Sequence, residues 1–133
     1  MQQSGGCRCG AVRFTVEGDA QHVTLCHCGD CRRSSGAPMV AWGGFDEDQF
    51  RLVQGAPKTL NTSGDAWRSF CGDCGTGLFY RNETVLPGMV DIQVATLDDP
   101  ETMPPSAHIQ TAERLHWMVD TNGLPGFERY PPA

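Results

Sequence analysis

"CRCGAVRFTV", residues 7–16, holds the two features that decide the fold. It begins with a Cys-x-Cys pair, Cys7 and Cys9, and ends by alternating Val12, Phe14 and Val16 with Arg13 and Thr15. Alternation with a period of two marks a strand with one face buried. On an extended backbone Cys7 and Cys9 share a parity, so both thiols are expected to leave one face of a first strand. The stretch points to short strands tied together through sulfur.

The same signals recur outward from it. "HVTLC" (22–26), "MVAWG" (39–43), "FRLVQ" (50–54), "WRSF" (67–70), "GLFYR" (77–81), "MVDIQVAT" (89–96) and "HIQT" (108–111) read as further strands. Clusters of Gly, Pro, Asn and Asp separate them, and 16 glycines with nine prolines fit many tight turns. Helix is scarce: a turn or two near "DCRRSS" (30–35) and a short turn at "DEDQF" (46–50). The predicted fold is all-β, a single compact domain of short antiparallel sheets over residues 4–127. The tail, 128–133, is expected to lie on the surface.

Composition says what must hold such a domain together. Leu, Ile, Val and Phe total 25 of 133 residues, a thin aliphatic core. Seven cysteines are available to supplement it. An odd number leaves one thiol over in any disulfide scheme, and no basic-then-apolar leader opens the sequence, so a reducing cytoplasm is the expected compartment. There, clustered cysteines mean metal or catalysis more often than bridges. A net charge of −6 argues against nucleic acid as a partner, and no apolar run is long enough for a membrane span.

The spacing is C-x-C (7, 9), C-x-C-x-x-C (26, 28, 31) and C-x-x-C (71, 74). Zinc takes four ligands in a closed structural site and three plus an open position in a catalytic one, so seven thiols divide naturally as four and three. Cys7 and Cys9 with Cys71 and Cys74 would make the closed site. Cys26, Cys28 and Cys31 would wrap a second ion and leave one corner free. Two alternatives stay open: Cys26/Cys28 or Cys28/Cys31 joining Cys71/Cys74, and His27 as a fourth ligand, although His27 should point away from its neighbours. Covalent haem fails because Arg32 and Gly75, not histidines, follow the two C-x-x-C pairs. A zinc deaminase fails because no H-x-E is present.

C-x-C near the N-terminus, C-H-C-x-x-C-R-R-x-S-G at 26–36, C-G-x-C-G at 71–75 and "HIQTAERLHW" at 108–117, with "GAPMVAW" (36–42) and "NGLP" (122–125), resemble the glutathione-dependent formaldehyde-activating family (Gfa, or CENP-V/Gfa). The likeness runs from about Gly6 to Phe127. It implies a β-tent fold with two Zn²⁺ per chain. Cys7, Cys9, Cys71 and Cys74 match the structural zinc ligands, and Cys26, Cys28 and Cys31 match those of a more labile catalytic zinc. It also implies a carbon–sulfur lyase that joins formaldehyde to glutathione as S-hydroxymethylglutathione. A non-catalytic zinc-stabilised binding module and a thiol redox or metal-responsive protein are the competing functions.

Other side chains carry weaker expectations. Arg32 and Arg33 could hold the carboxylates of glutathione, or make surface salt bridges. Ser34 and Ser35 suit capping or turn roles better than ligand contact. Trp42, Phe79 and Trp117 are expected in the core, His108 as a satisfied buried histidine, and Asp73 bonded to backbone in its turn.

Overall fold

The computed structural model describes residues 1–132, so the last residue of the expected tail, position 133, lies outside the described residues. The described residues form ten strands and one α-helix. The first half carries β1 (Gln2–Gly6), β2 (Arg13–Glu17), β3 (His22–Cys26), α1 (Gly29–Ser35), β4 (Val40–Asp46) and β5 (Phe50–Gln54). The second carries β6 (Lys58–Ser63), β7 (Ala66–Phe70), β8 (Gly77–Asn82), β9 (Met89–Gln93) and β10 (Ala107–Ile109). They form a three-stranded sheet, β1-β2-β5, and a seven-stranded sheet, β10-β3-β4-β9-β8-β7-β6. All neighbours are antiparallel except β10, which runs parallel to β3. The chain is thus mostly β, as its patterning requires.

The main core lies where the two sheets meet. Phe14 of β2 is fully buried and meets Phe79 of β8 edge-on at 5.1 Å, and Phe50 of β5 meets the same ring at 4.9 Å. Phe45, Val90 and Ile92 complete it from the larger sheet. Gly5 of β1 is required here, since a Cβ on it would sit 2.7 Å from both the Phe14 ring and the Thr96 carbonyl oxygen. The opposite face of the larger sheet carries a smaller core of Cys26, Cys31, Val40 and Trp42 under α1. On β4, Val40 and Trp42 face α1 while Ala41 and Phe45 face the main core, the alternation of a strand buried on both sides.

Four readings change. Cys7 and Cys9 do not lie on a strand: β1 ends at Gly6, and the thiols occupy a tight turn closed by the Gly10 N–H donating to the Cys7 carbonyl at 3.1 Å. Gly10 takes φ +84° there, which ends extended backbone. "MVDIQVAT" is strand only to Gln93 and then tightens into a 3₁₀ turn, Val94–Thr96. Trp117 is 64% exposed rather than in the core, because residues beyond β10 form 3₁₀ turns outside both sheets. β1 and β6 were not foreseen. No helix among the described residues is long and apolar enough to cross a membrane.

Candidate metal centre and its cleft

The β1–β2 turn and the β7–β8 turn bring Cys7, Cys9, Cys71 and Cys74 together, with their sulfurs within 4.8 Å of one another. The second turn is closed by the Gly75 N–H donating to the Cys71 carbonyl at 2.8 Å, with Gly75 at φ +82°. Asp73 is exposed at its tip, so backbone pairing closes the turn in place of the expected aspartate bond. Thr76 joins the two halves: its hydroxyl accepts the Arg8 N–H at 3.1 Å and lies 3.2 Å from Cys74 Sγ. The Thr76 contact holds the Cys74 thiol down near a pKa of about 5. At Cys9 a backbone bond to Ala11 is outweighed by Cys7 and Cys74, which push it up to about 12. Four thiols this close cannot all ionise without a cation between them, and a soft divalent ion suits that donor set.

The second cluster is local. Cys26 ends β3, Cys28 caps α1, and Cys31 lies in the helix's first turn; their sulfurs too lie within 4.8 Å. The Cys31 N–H donates to Cys28 Sγ at 3.2 Å, so the cap itself is a thiol. Bonding to Cys26 brings the Cys31 thiol down to about 5 against its burial, and pushes Cys26 upward in turn. All seven cysteines are unbridged. The structure therefore groups the thiols as four and three, and brings none of the trio to Cys71 or Cys74.

His27 is buried between two cysteines, yet its Nε2 lies 2.8 Å from His108 Nδ1 and not on a sulfur. Burial, then the charges of Arg114 and His108, push its pKa down. His108 itself is exposed, contrary to expectation, because it lies on the edge strand β10.

The trio opens into a cleft of about 540 Å³ on the helix-bearing face of the larger sheet. Strand register composes its floor: His22 pairs with Gly44, Gly44 with Asp91, Asp91 with Tyr80 and Tyr80 with Arg68, one row across five strands. Registered neighbours project from the same face. His22 Nε2 lies 2.8 Å from Asp91 Oδ1 across the bare glycine between them. Burial pushes the Asp91 pKa up, and His22 pulls partly against it. At the other end Arg68 donates to Asp30 of α1 at 2.7 Å and reaches Cys31 Sγ at 3.7 Å. Its guanidinium stacks 4.8 Å over the Tyr80 ring and 5.9 Å from Trp42. Trp42 is thus both core and cleft wall.

Arg32 and Arg33 lie apart from this floor, with Leu115 and Trp117 along a shallow groove of about 460 Å³. Neither makes an ion pair among the described residues. Ser35 donates to the Cys31 carbonyl at 2.7 Å, a helix-internal role. His22, Asp91, Arg68 and Thr76 were missed by sequence reasoning; only register or a turn contact brings them to the thiols.

Comparison with known proteins gives the chain a family. The family described as glutathione-dependent formaldehyde-activating enzyme matches residues 2–113. A Halomonas elongata protein provisionally named for that activity is 28% identical over 130 residues, 90% of this chain and 76% of its own. A Schizosaccharomyces pombe protein named only as an uncharacterised lyase is 27% identical over 79 residues, covering 59% of this chain and 57% of its own. A Rhodobacter sphaeroides crystal structure superposes with a TM-score of 0.64 at 26% identity, over 79% of this chain and 98% of that one.

Proposed function

This chain belongs to the glutathione-dependent formaldehyde-activating family, and on that premise we propose that it is a zinc-dependent carbon–sulfur lyase forming or cleaving a thiol–aldehyde adduct. The observation that carries the reading is the three-thiol cluster, which offers one ligand too few for a closed tetrahedral site and lines a cleft. Cys7, Cys9, Cys71 and Cys74 would hold a structural Zn²⁺, and Cys26, Cys28 and Cys31 a catalytic one. Zn²⁺ held by those three thiols would supply an open position for a substrate sulfur and favour its thiolate form.

The chain's own groups do the rest. Trp42 and Tyr80 line the cleft and give a small aldehyde an apolar wall to rest against. Arg68, fixed by Asp30 and by stacking, is the arginine lining this cleft and favours a thiol that carries carboxylates, as glutathione does. A reducing cytoplasm keeps the seven thiols free for metal.

The test is S-hydroxymethylglutathione formation from glutathione and formaldehyde by protein carrying two zinc ions, against the uncatalysed rate. No acceleration at full zinc occupancy discards this substrate pair. Chelation distinguishes the competing binding module: a catalytic second ion leaves with the fold intact, whereas two structural ions melt the domain whichever is stripped.

A further inference from the structure

The trio accounts for where sulfur binds but not for where its proton goes. A thiol adding to an aldehyde loses one proton at sulfur, and the new hydroxyl gains one at oxygen. The C–S bond forms as the C=O π bond breaks, and no net proton is produced. A single group that accepts and returns one proton would serve both ends without any co-reactant.

The floor of the cleft holds such a group. Asp91 is 6% exposed, and its Oδ1 lies 2.8 Å from His22 Nε2. That is its one hydrogen-bond partner among the described residues, which leaves Oδ2 to the cleft that Asp91 lines. The pairing is built into the sheet. His22 and Asp91 sit on β3 and β9 with β4 between them, and the imidazole crosses that strand only because Gly44 is there. A Cβ at Gly44 would lie 2.1 Å from the His22 ring. Gly44 has no positive φ, so the glycine serves space and not backbone conformation. The ionisable groups sharing the cleft with Asp91 are His22, Tyr80, Arg68 and Asp30, and the three thiols. Of the two carboxylates, Asp30 is 47% exposed and its Oδ2 is held by the permanent cation of Arg68. Asp91 is the buried carboxylate of the cleft, and its partner is an imidazole.

We propose that Asp91, oriented by His22 across the gap at Gly44, accepts the proton of the substrate thiol and returns it to the aldehyde oxygen. The role rests on the thiol–aldehyde reading above. His22 is a positioning residue: it fixes the carboxylate and does not touch substrate.

Asp91→Asn tests this, because the amide oxygen still accepts from His22 while proton uptake is lost. Turnover should fall about 10²–10⁴-fold, the range of a lost general acid–base. Zinc content should stay at the wild-type level, and glutathione affinity within about threefold. Asp91→Glu should retain part of the turnover, as a carboxylate on a longer arm. The second readout is calorimetry of glutathione binding to the zinc-loaded protein at pH 7, in buffers of different ionisation heat. Wild type should release almost no proton to buffer per glutathione bound, and Asp91→Asn close to one. Equal turnover in wild type and Asp91→Asn, or equal proton release, overturns the proposal. Glutathione binding with its proton retained but no acceleration with formaldehyde overturns the proposed reaction and leaves the proton acceptor standing. Failure of the wild type to bind glutathione overturns both.

Discussion

Gly44→Ala is the sharpest test of how the cleft floor is built. The new methyl would overlap the His22 ring, with approaches of 2.1 Å to Cε1, 2.3 Å to Nε2 and 2.6 Å to Nδ1. The imidazole must swing away, and the 2.8 Å bond to Asp91 breaks. Asp91 is then left without its partner in a site where its side chain is 9% exposed. Orphaning one member of a buried pair costs about 3–5 kcal/mol. The His22 side chain is 30% exposed and Asp91 faces a cleft that water can enter, so the lower figure for an unsatisfied polar group, about 2 kcal/mol, applies. At this chain length that corresponds to a fall in Tm of roughly 6–10 °C. The control is the same substitution in a His22→Ala background, where no ring remains to displace. There alanine should be neutral, or stabilising by about 0.5–1 kcal/mol, because glycine weakens a strand interior. Urea unfolding of the four zinc-loaded proteins gives the coupling energy directly. An equal cost for Gly44→Ala in both backgrounds would refute the argument that the glycine exists to let His22 reach Asp91.

Other perturbations probe different parts of the structure. Phe14→Ala removes a fully buried ring that meets Phe79 at 5.1 Å and should cost about 3–5 kcal/mol in urea unfolding, against under 0.5 for Tyr130→Ala, which is 91% exposed. Asp98→Asn tests the fork from Arg13, whose bond to Asp98 holds that carboxyl below its ordinary pKa. A depressed carboxyl contributes stability above its unfolded pKa of about 3.9 and loses it as pH falls through the folded value. The wild-type advantage over Asp98→Asn should therefore be present at pH 7 and shrink as pH falls below about 3.9, and an advantage that grows on acidification would contradict the assignment. Arg68→Lys keeps a charge but loses the planar stack on Tyr80 and the Nη2–H bond to Asp30. It should raise KM for glutathione several-fold more than for a neutral thiol, and equal effects on both would refute a role in carboxylate recognition.

How much of this was legible in the sequence depended on which physical signal each residue carries. β2, β3, β5 and β8 announce themselves because they alternate apolar and polar residues or carry β-branched and aromatic ones. β1, "QQSGG", and β6, "KTLNTS", carry no such pattern. β6 is exposed at every position and β1 has two glycines at its inner end, so each exists through pairing to a neighbour and not through its own burial. The thiol grouping was legible because it is written in short spacings. The row His22–Gly44–Asp91–Tyr80–Arg68 was not, since its members lie on five strands and meet only through register. Trp117 misled for the opposite reason: its size argues for burial, but the turns that carry it have no sheet to pack on.

The two thiol clusters differ in what they close, and that difference is why one ion would leave without unfolding the protein. Cys9 and Cys71 are 62 residues apart along the chain, with their sulfurs 3.8 Å apart. A metal gripping that group cross-links the β1–β2 turn to the β7–β8 turn and closes a loop containing β3, β4 and α1. Closing a loop of that length removes about 4 kcal/mol of chain entropy from the unfolded state. Cys26, Cys28 and Cys31 all fall between the end of β3 and the first turn of α1, which the Cys31 N–H to Cys28 bond already orders. A metal there closes almost no loop, and β3 and α1 keep their places through pairing with β4 and the Arg68–Asp30 contact. A metal at the second site would therefore contribute far less to folding than one at the first.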